Sequence, residues 1–160
     1  MENSDPNSAQ FYVRYADEQD ADALLAMMWE LAQFEGYAPN FVVTREDLLA
    51  RGLATDFPQF RALMVLDADG LAVGYAVFYE VAFTYDLRPN WHLKELSVRE
   101  HARSLGVGKL LMEKLIEDAR LHKVGRLKWD VLPNNETAKR FYRRFQAQPV
   151  TDWQAWILHL

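Results

Sequence analysis

The sequence contains no cysteine, which excludes a disulfide, a thiolate metal site and a cysteine nucleophile. This absence favours an intracellular protein. No hydrophobic run approaches the roughly 20 residues that cross a bilayer, so we expect no membrane partner. Positive charge is in deficit, with a formal net charge of −5. Because proteins that bind nucleic acid usually present a basic face, we expect no nucleic-acid partner, whereas an acidic surface suits a cationic ligand.

The chain length fits one domain. With 160 residues, of which 50% are hydrophobic, the chain can bury an ordinary core. The first ten residues, "MENSDPNSAQ", are polar and acidic and lack the basic start and apolar centre of a secretion signal. We therefore predict a flexible tail over residues 1–10, a single domain over residues 11–160 and a cytoplasmic location.

Strand and helix patterns alternate along the first half of the chain. "FYVRYA" predicts a strand, and residues 17–35 predict a helix that places Ala23, Met27, Leu31 and Phe34 at helical spacing. Thr44 and Asp47 resemble a capping box that opens a short helix through Leu53. "FRALMVLD", a turn at residues 67–70 and the long run "LAVGYAVFYEVAFTY" predict a β-hairpin with an extended second arm.

The second half of the chain also alternates strand and helix patterns. "WHLKELSV" predicts a strand, residues 99–106 a turn, and residues 107–122 a helix with Val107, Leu111, Leu115 and Ala119 on one stripe. "RLKWDVL" predicts another strand, residues 135–145 a helix, and "WQAWILHL" a closing strand. These elements predict an α+β fold with a mostly antiparallel central sheet flanked by helices.

Two glycines stand just before the third predicted helix, in "RSLGVGKLL", although glycine is otherwise scarce. A loop that leads from a strand into a helix leaves the first helical N–H groups unpaired, and these groups bind phosphate well. Side chains at Gly106 or Gly108 would hold a phosphate away from them. Arg103 and Leu110 exclude a Walker loop, and Leu111 excludes a dinucleotide fingerprint. The pattern that remains is Arg-x-x-Gly-x-Gly, which two glycines easing a loop into a helix would also explain.

A second pattern lies in "NETAKRFYRRF". Asn135, Ala138 and Tyr142 fall on one helical face, alongside which a linear ligand would fit. A plain amphipathic helix with Phe141 and Phe145 in the core would produce the same spacing.

Together, and in this order, the two patterns resemble the GNAT superfamily of N-acetyltransferases, at Arg103, Gly106, Gly108, Asn135, Ala138, Phe141 and Tyr142. The usual Leu-Gly-Phe after the tyrosine is replaced by Arg144, Phe145 and Gln146. The resemblance implies a GNAT-like fold and acetyl-CoA as co-substrate, with no metal. It also implies coenzyme contacts from the strand before the loop, from the loop itself and from the last helix, at Leu96, Val98, Arg103, Ser104, Leu105, Gly106, Val107, Gly108, Lys109, Asn135 and Tyr142.

"ELAQFEGYAPNFVVTREDLL" and "FTYD" narrow the resemblance to the diamine (spermidine/spermine) and thialysine acetyltransferase branch. That branch usually carries a Glu-Asp pair where this chain has Lys94 and Glu95. The likeness implies that Glu35, Asp86 and Glu95 line the amine-binding cleft. Three carboxylates around one cleft predict a cationic acceptor, a polyamine or a lysine-like amine, although Glu35 and Asp86 also fit ordinary solvated loop positions.

The chemistry predicts two catalytic residues. An alkyl amine with a pKa near 10 is about one part in a thousand neutral at pH 7, so a carboxylate must receive its proton. Glu95 is the candidate base, although it would equally serve to bind the ammonium. The resemblance implies that Tyr142 protonates the leaving thiolate, as a tyrosine is protonated at neutral pH. Without cysteine, we expect direct transfer in a ternary complex. The four histidines show no metal spacing.

The sequence allows alternatives for catalysis and for the acceptor, and it also bears on the oligomeric state. A non-catalytic acetyl-CoA-binding module would keep the same coenzyme patterns, although Tyr142 beside an intact loop favours catalysis. Another small-molecule or protein amine is an alternative acceptor. Relatives in the resembled family are often dimers, so we expect a homodimer, in which Trp153 and Trp156 would lie either at the interface or in the core.

Overall fold

The computed structural model describes residues 10–160, so the predicted tail lies outside the described residues except for Gln10. The chain forms two compact units that divide between Trp129 and Asp130. The first unit holds the sheet and three helices, and the second holds one helix. Within the described residues no helix is long and apolar enough to span a membrane.

The sheet of the first unit has five strands in the spatial order β1-β2-β3-β4-β5. Their bounds are Tyr12–Tyr15, Arg61–Leu66, Ala72–Val81, Asn90–Val98 and Arg126–Lys128. Three neighbouring pairs are antiparallel, and β4 with β5 is parallel. The predicted α+β class with a mostly antiparallel sheet is therefore confirmed. The hairpin is confirmed as well, because Asp67 accepts the amides of Asp69 and Leu71 in the predicted turn between β2 and β3.

The helices are α1 (Ala21–Glu35), α2 (Arg45–Leu48), α3 (Val107–Leu121) and, in the second unit, α4 (Glu136–Arg143). Thr44 caps α2 through the predicted reciprocal bonds with Asp47. The chain then continues as a π-helical turn over Leu49–Leu53. Short 3₁₀ turns lie at Glu18–Asp20, Ala38–Asn40 and Glu100–Ala102.

The two faces of the sheet carry separate cores. On one face, Leu24, Met27, Met28 and Leu31 of α1 pack with Tyr75 and Val77 of β3. On the other face, all four residues of the predicted α3 stripe are buried. Helix α3 packs closely against Gly74, since a Cβ built at Gly74 would lie 2.7 Å from Val107 Cγ1. The sheet therefore separates an α1 face from an α3 face.

Several predicted boundaries are wrong. Helix α1 begins at Ala21 after a 3₁₀ turn rather than at residue 17. The buried residues of α1 end at Ala32, and Phe34 is 75% exposed. Strand β3 ends at Val81, so "FTYD" lies in the loop before β4. A run of strand-forming residues extends only as far as a neighbouring strand pairs with it, which local pattern does not reveal.

The C-terminal strands also differ from the prediction. Strand β5 covers three residues rather than all of "RLKWDVL". In the described chain "WQAWILHL" forms no strand, and Trp153 and Trp156 are 84% and 90% exposed. The apolar run predicted burial in a sheet, but a strand exists only where a partner offers its backbone groups.

Candidate active site

Strand β4 has an open edge on the side of β5. The parallel pairing joins Asn90, Trp91 and His92 to Arg126, Leu127 and Lys128, and β5 ends there. Strand β4 continues for six more residues to Val98. Among the described residues of the first unit, no strand pairs with them on this edge. They include Leu96 and Val98, the two residues expected to hydrogen-bond a ligand through their backbone.

The loop after β4 leads directly into α3. Gly106 is the N-cap of α3 and has a φ of 88°, a left-handed conformation that favours glycine. No described heavy atom lies within 4 Å of a Cβ built there, apart from the immediate chain neighbours. The amide of Leu110 bonds to Gly106 O, whereas the amides of Val107, Gly108 and Lys109 precede the first intrahelical bond. These three donors form an anion-binding end, to which the helix dipole adds positive potential.

Arg103 connects this loop to α1. Its Nε donates to Val98 O at 3.0 Å, and its guanidinium lies over the ring of Phe34, 5.6 Å from the ring centroid. A cavity of about 230 Å³ lies between α1 and the end of β4, with Leu31, Phe34, Ser97, Val98 and Arg103 in its wall. The exposed Phe34 thus lies beside the expected coenzyme loop.

A β-bulge determines where Glu95 points. Leu93 pairs with Phe78 and Glu95 pairs with Val77, so Lys94 is the extra residue. Simple alternation would place Glu95 on the same face as Trp91 and Leu93. The bulge turns it instead to the face of Val77, which is the α1 face.

Glu95 is nearly enclosed there. Its side chain is 8% exposed, and its Oε2 lies 3.1 Å from Lys94 Nζ. Its other oxygen, Oε1, is buried and has no hydrogen-bond partner among the described residues. A buried carboxylate oxygen without a donor carries a desolvation cost, which makes Glu95 unusual in this fold.

The groups around Glu95 interact electrostatically. Partial burial and then the negative charge of Glu95 raise the pKa of Glu35 above its ordinary value, and Lys94 opposes the shift. Burial, followed by the charges of Glu95 and Glu35, raises the pKa of Tyr37 to about 12. Burial and then the charge of Glu95 also raise the pKa of Tyr75. We call Glu35, Tyr37, Tyr75, Lys94 and Glu95 the Glu95 cluster, which contains two carboxylates and one lysine.

Asp86 has different neighbours. Its carboxylate contacts Arg126 Nη2 at 3.1 Å and Arg88 Nη2 at 3.4 Å, and it accepts from Thr84 Oγ1 at 3.0 Å. Burial opposes its ionisation, but the bonds from Thr84 and Arg126 prevail and lower the pKa of Asp86 to about 2. Arg126 pairs with Asn90, five residues before Glu95, and five residues of strand span roughly 17 Å. The structure therefore brings Glu35 and Glu95 together and gives Asp86 two arginine partners.

The second unit carries the other predicted residues. Asn135 stands at the start of α4, as predicted, and it also caps the helix by accepting the amide of Ala138 at 3.0 Å. Tyr142 is half-buried, and its ring packs edge-on against Phe141 with centroids 5.1 Å apart. Helix α4 ends before the atypical Arg144, Phe145 and Gln146, and Gln146 takes a positive φ of 63°. The predicted Asn135 to Tyr142 face is therefore helical.

Sequence reasoning missed three residues of this region. Tyr37 and Tyr75 belong to the Glu95 cluster, and Phe34 contacts Arg103. The register of β3 against β4 places Tyr75 diagonally across from Glu95, a neighbour relation that alternation alone cannot supply without knowledge of the bulge. Tyr37 lies two residues after Glu35, and this closeness in sequence was the feature that could have indicated its place in the site.

Comparisons with known proteins identify the family. Residues 24–146 match the model of the acetyltransferase (GNAT) family. A thialysine N-epsilon-acetyltransferase of Mus musculus is 29% identical over 152 residues, covering 91% of this chain and 88% of that protein. The spermidine/spermine N(1)-acetyltransferase-like protein 1 of Homo sapiens is 26% identical over 159 residues, covering 92% of this chain and 22% of that protein.

A solved structure has the same fold. The crystal structure of a probable acetyltransferase superposes with a TM-score of 0.79 and 18% identity, covering 93% of this chain and 97% of that chain. The family model, the relatives and the sheet architecture therefore agree with one another and with the resemblance deduced from Arg103 to Gly108 and Asn135 to Tyr142. This chain belongs to the acetyltransferase (GNAT) family.

Proposed function

We propose that this N-acetyltransferase transfers an acetyl group from acetyl-CoA to a primary amine of a small cationic acceptor, a polyamine or a lysine-like amine, by direct attack in a ternary complex. The observation that carries the proposal is the enclosed Glu95 carboxylate, turned by the bulge toward Glu35. The names of the mouse and human relatives refer to cationic amines, thialysine and spermidine or spermine, which supports the same acceptor class.

Members of this family use acetyl-CoA as co-substrate, and acetyl-CoA would supply the activated acetyl group as a thioester. The open edge of β4 fits the amide-bearing arm of such a ligand, which Leu96 and Val98 would bind through their backbone groups. The bare backbone at Gly106 and the three free amides of α3 fit its pyrophosphate. We propose that the loop residues Arg103, Ser104, Leu105, Gly106, Val107, Gly108 and Lys109 bind the pyrophosphate. The match to the family pattern adds Asn135 and Tyr142 to the proposed coenzyme contacts.

Glu95 is the proposed group that receives the proton of the acceptor ammonium. An amine with a pKa near 10 carries a deficit of roughly 4 kcal/mol in its neutral form at pH 7. A carboxylate that binds the ammonium and receives its proton removes part of this barrier. Glu95 Oε2 pairs with Lys94 Nζ at 3.1 Å, and the Lys94 side chain is 53% exposed, so an acceptor ammonium would compete with Lys94 for that oxygen.

Tyr142 is the proposed proton donor to the leaving thiolate. Its hydroxyl would release a proton to sulfur as the carbon–sulfur bond breaks, a role that contributes about 10²- to 10⁴-fold in rate. This assignment rests on the match of Asn135, Ala138, Phe141 and Tyr142 to the family pattern.

The second charge of the acceptor would lie near Glu35. The pKa of Glu35 is raised partly by the negative charge of Glu95, so two ionised carboxylates repel each other there. A dicationic acceptor would relieve that repulsion. Because Asp86 is already paired with Arg88 and Arg126, the acceptor proposal rests on Glu35 and Glu95, and the contribution of Asp86 to acceptor binding stays a prediction.

The remaining assignments concern the whole protein. We propose one N-acetyltransferase domain over residues 11–160, a cytoplasmic location, and a homodimer with no metal, membrane or nucleic-acid partner. Trp153, Trp156, Ile157 and Leu158 are each at least 80% exposed, and burial of these apolar side chains would favour self-association. Light scattering across a concentration series measures the oligomeric state directly.

A thiol-release assay with a panel of amines tests the function. The panel contains spermidine, a short diamine, a lysine analogue, a monoamine of matched length and an anionic amine, each with saturating acetyl-CoA. We expect release of free thiol with the dicationic amines, together with stabilisation of the protein by the coenzyme alone. Thiol release that does not depend on added amine, or that is greatest with the anionic amine, would contradict the proposed acceptor class.

A further inference from the structure

Two buried polar atoms lie near each other on neighbouring strands. Of the buried side-chain polar atoms in the described residues, Tyr75 Oη and Glu95 Oε1 are the two without a hydrogen-bond partner there. Tyr75 pairs with Ser97 across the ladder, and Val77 pairs with Glu95. Tyr75 and Glu95 are therefore diagonal neighbours on one face, a separation that an aromatic and a long side chain can bridge.

The two atoms are chemically complementary. A neutral phenol has one donor proton, and a carboxylate oxygen accepts one. Tyr75 is fully buried, and its ring packs in the α1 core among Leu24, Met27 and other apolar side chains. The charge of Glu95 and the burial of the ring both favour the protonated phenol, so the donor is present at physiological pH.

The other groups around the pair do not supply a hydrogen bond to Glu95 Oε1. Lys94 takes the opposite oxygen, Oε2. Glu35 is an acceptor when ionised, and its charge acts against that of Glu95. Tyr37 interacts with the same carboxylate, but Oε1 still lacks a partner among the described residues. Tyr75 is the neighbouring donor that is itself unsatisfied.

We propose that Tyr75 is a positioning residue for Glu95: its hydroxyl donates to Oε1 and holds the carboxylate so that Oε2 faces the acceptor amine. This deepens the proposed function, on which it rests for the role of Glu95. The bond from Tyr75 would hold Oε1 in the core. Oε2 would then be able to exchange Lys94 for the acceptor ammonium. Tyr75 itself touches neither substrate.

The anchor has a consequence for the pH dependence of the reaction. A donor to a carboxylate stabilises the ionised form, so its removal makes protonation easier. In Tyr75→Phe the acidic limb of kcat, measured at saturating acceptor so that the dependence of KM on Glu35 does not enter, should move up by about one pH unit, the range expected for a hydrogen bond to a charged group. Below that limb kcat should fall about tenfold, whereas the plateau above it should change little.

Tyr15→Phe is the matched control. Tyr15 Oη donates to Asp118 Oδ2 at 2.7 Å, so this variant also removes a tyrosine–carboxylate bond, but outside the Glu95 cluster. It should lower the melting temperature and leave the pH profile unchanged. An unchanged profile in Tyr75→Phe, or an equal shift in both variants, would overturn the proposed role of Tyr75.

A stability cycle separates this proposal from the proposed function. The melting temperatures of Tyr75→Phe, Glu95→Ala and the double variant, measured without substrates, should be non-additive by roughly 2–4 °C. Additive values would overturn the Tyr75 contact even if the enzyme acetylates diamines. Non-additive values in a protein that acetylates none of the amines would support the contact and contradict the acceptor class.

If Tyr75→Phe does not fold, hydrogen exchange of the Tyr75 hydroxyl provides a second measurement. A slowly exchanging hydroxyl proton in wild type that is lost in Glu95→Ala supports the contact. Persistence of that proton in Glu95→Ala overturns the contact.

Discussion

Replacement of Gly74 by alanine tests how β3 positions the loop before α3, the proposed coenzyme-binding loop. A Cβ at residue 74 would lie 2.7 Å from Val107 Cγ1 and 3.2 Å from the backbone oxygen of Ser97. Ordinary contacts between carbon atoms begin near about 3.5 Å, so α3 must move by nearly 1 Å. Val107 and Leu111 are buried, and a β-branched helical side chain has little freedom to rotate away.

The magnitude follows from two opposing effects. Overpacking of a filled core costs about 1–3 kcal/mol, and the loss of glycine freedom in the unfolded chain returns about 0.4–1 kcal/mol. We expect a net loss near 1–2 kcal/mol and a melting temperature lower by roughly 3–6 °C. Since Val107 supplies the first free amide of α3, stabilisation by acetyl-CoA should also weaken.

Differential scanning fluorimetry with and without acetyl-CoA measures both quantities. Gly52→Ala is the control, because its Cβ would meet the ring of Phe60 at 2.3 Å, away from the loop. It should lose stability but keep the coenzyme response. If Gly74→Ala were as stable as wild type with a full coenzyme response, the inferred close approach of β3 and α3 would be refuted.

Three further predictions concern single side chains. Tyr142→Phe should lower kcat by about 10²-fold or more while coenzyme affinity stays nearly constant, as single-turnover kinetics and calorimetry can establish; equal turnover across pH would mean that another group protonates the thiolate. Glu35→Gln should raise KM for a diamine, and the loss of wild-type affinity as pH falls through the raised pKa of Glu35 should disappear; an unchanged pH dependence of KM would refute this. Asp86→Asn should destabilise the protein at neutral pH, because the lowered pKa of Asp86 means that its stabilisation is full above the unfolded pKa near 4 and is lost as pH falls toward about 2. Denaturation of wild type and Asp86→Asn at pH 7 and pH 2.5 tests this, and a constant difference between them would count against the ion pairs.

Local pattern predicted much of the fold because many elements carry their own signals. The stripe from Val107 to Ala119 follows helical periodicity and is buried, and Thr44 with Asp47 forms the expected capping box. The turn between β2 and β3 is set by Asp67, whose side chain accepts two amides within four residues. Each of these features depends on residues close in sequence.

The features that escaped prediction depend on distant partners. The bulge at Lys94 exists only in the pairing of β4 with β3, and without it Glu95 would be assigned to the face of Trp91. The arginines that neutralise Asp86 include Arg126, which lies 40 residues away in the sequence. The arginine partners of Asp86 could not be read from local pattern, and the contribution of Asp86 to acceptor binding stays a prediction.

A cationic acceptor held by both Glu95 and Glu35 requires the enzyme to prefer dications over monocations. The ratio of kcat/KM for a linear diamine to that for a monoamine of the same length measures this preference. One partly screened charge contact contributes on the order of 1.4 kcal/mol, which corresponds to tenfold in rate. We predict a wild-type ratio of about ten or more that falls toward one in Glu35→Gln. A wild-type ratio near or below one would mean that Glu35 and Glu95 do not hold a dicationic acceptor.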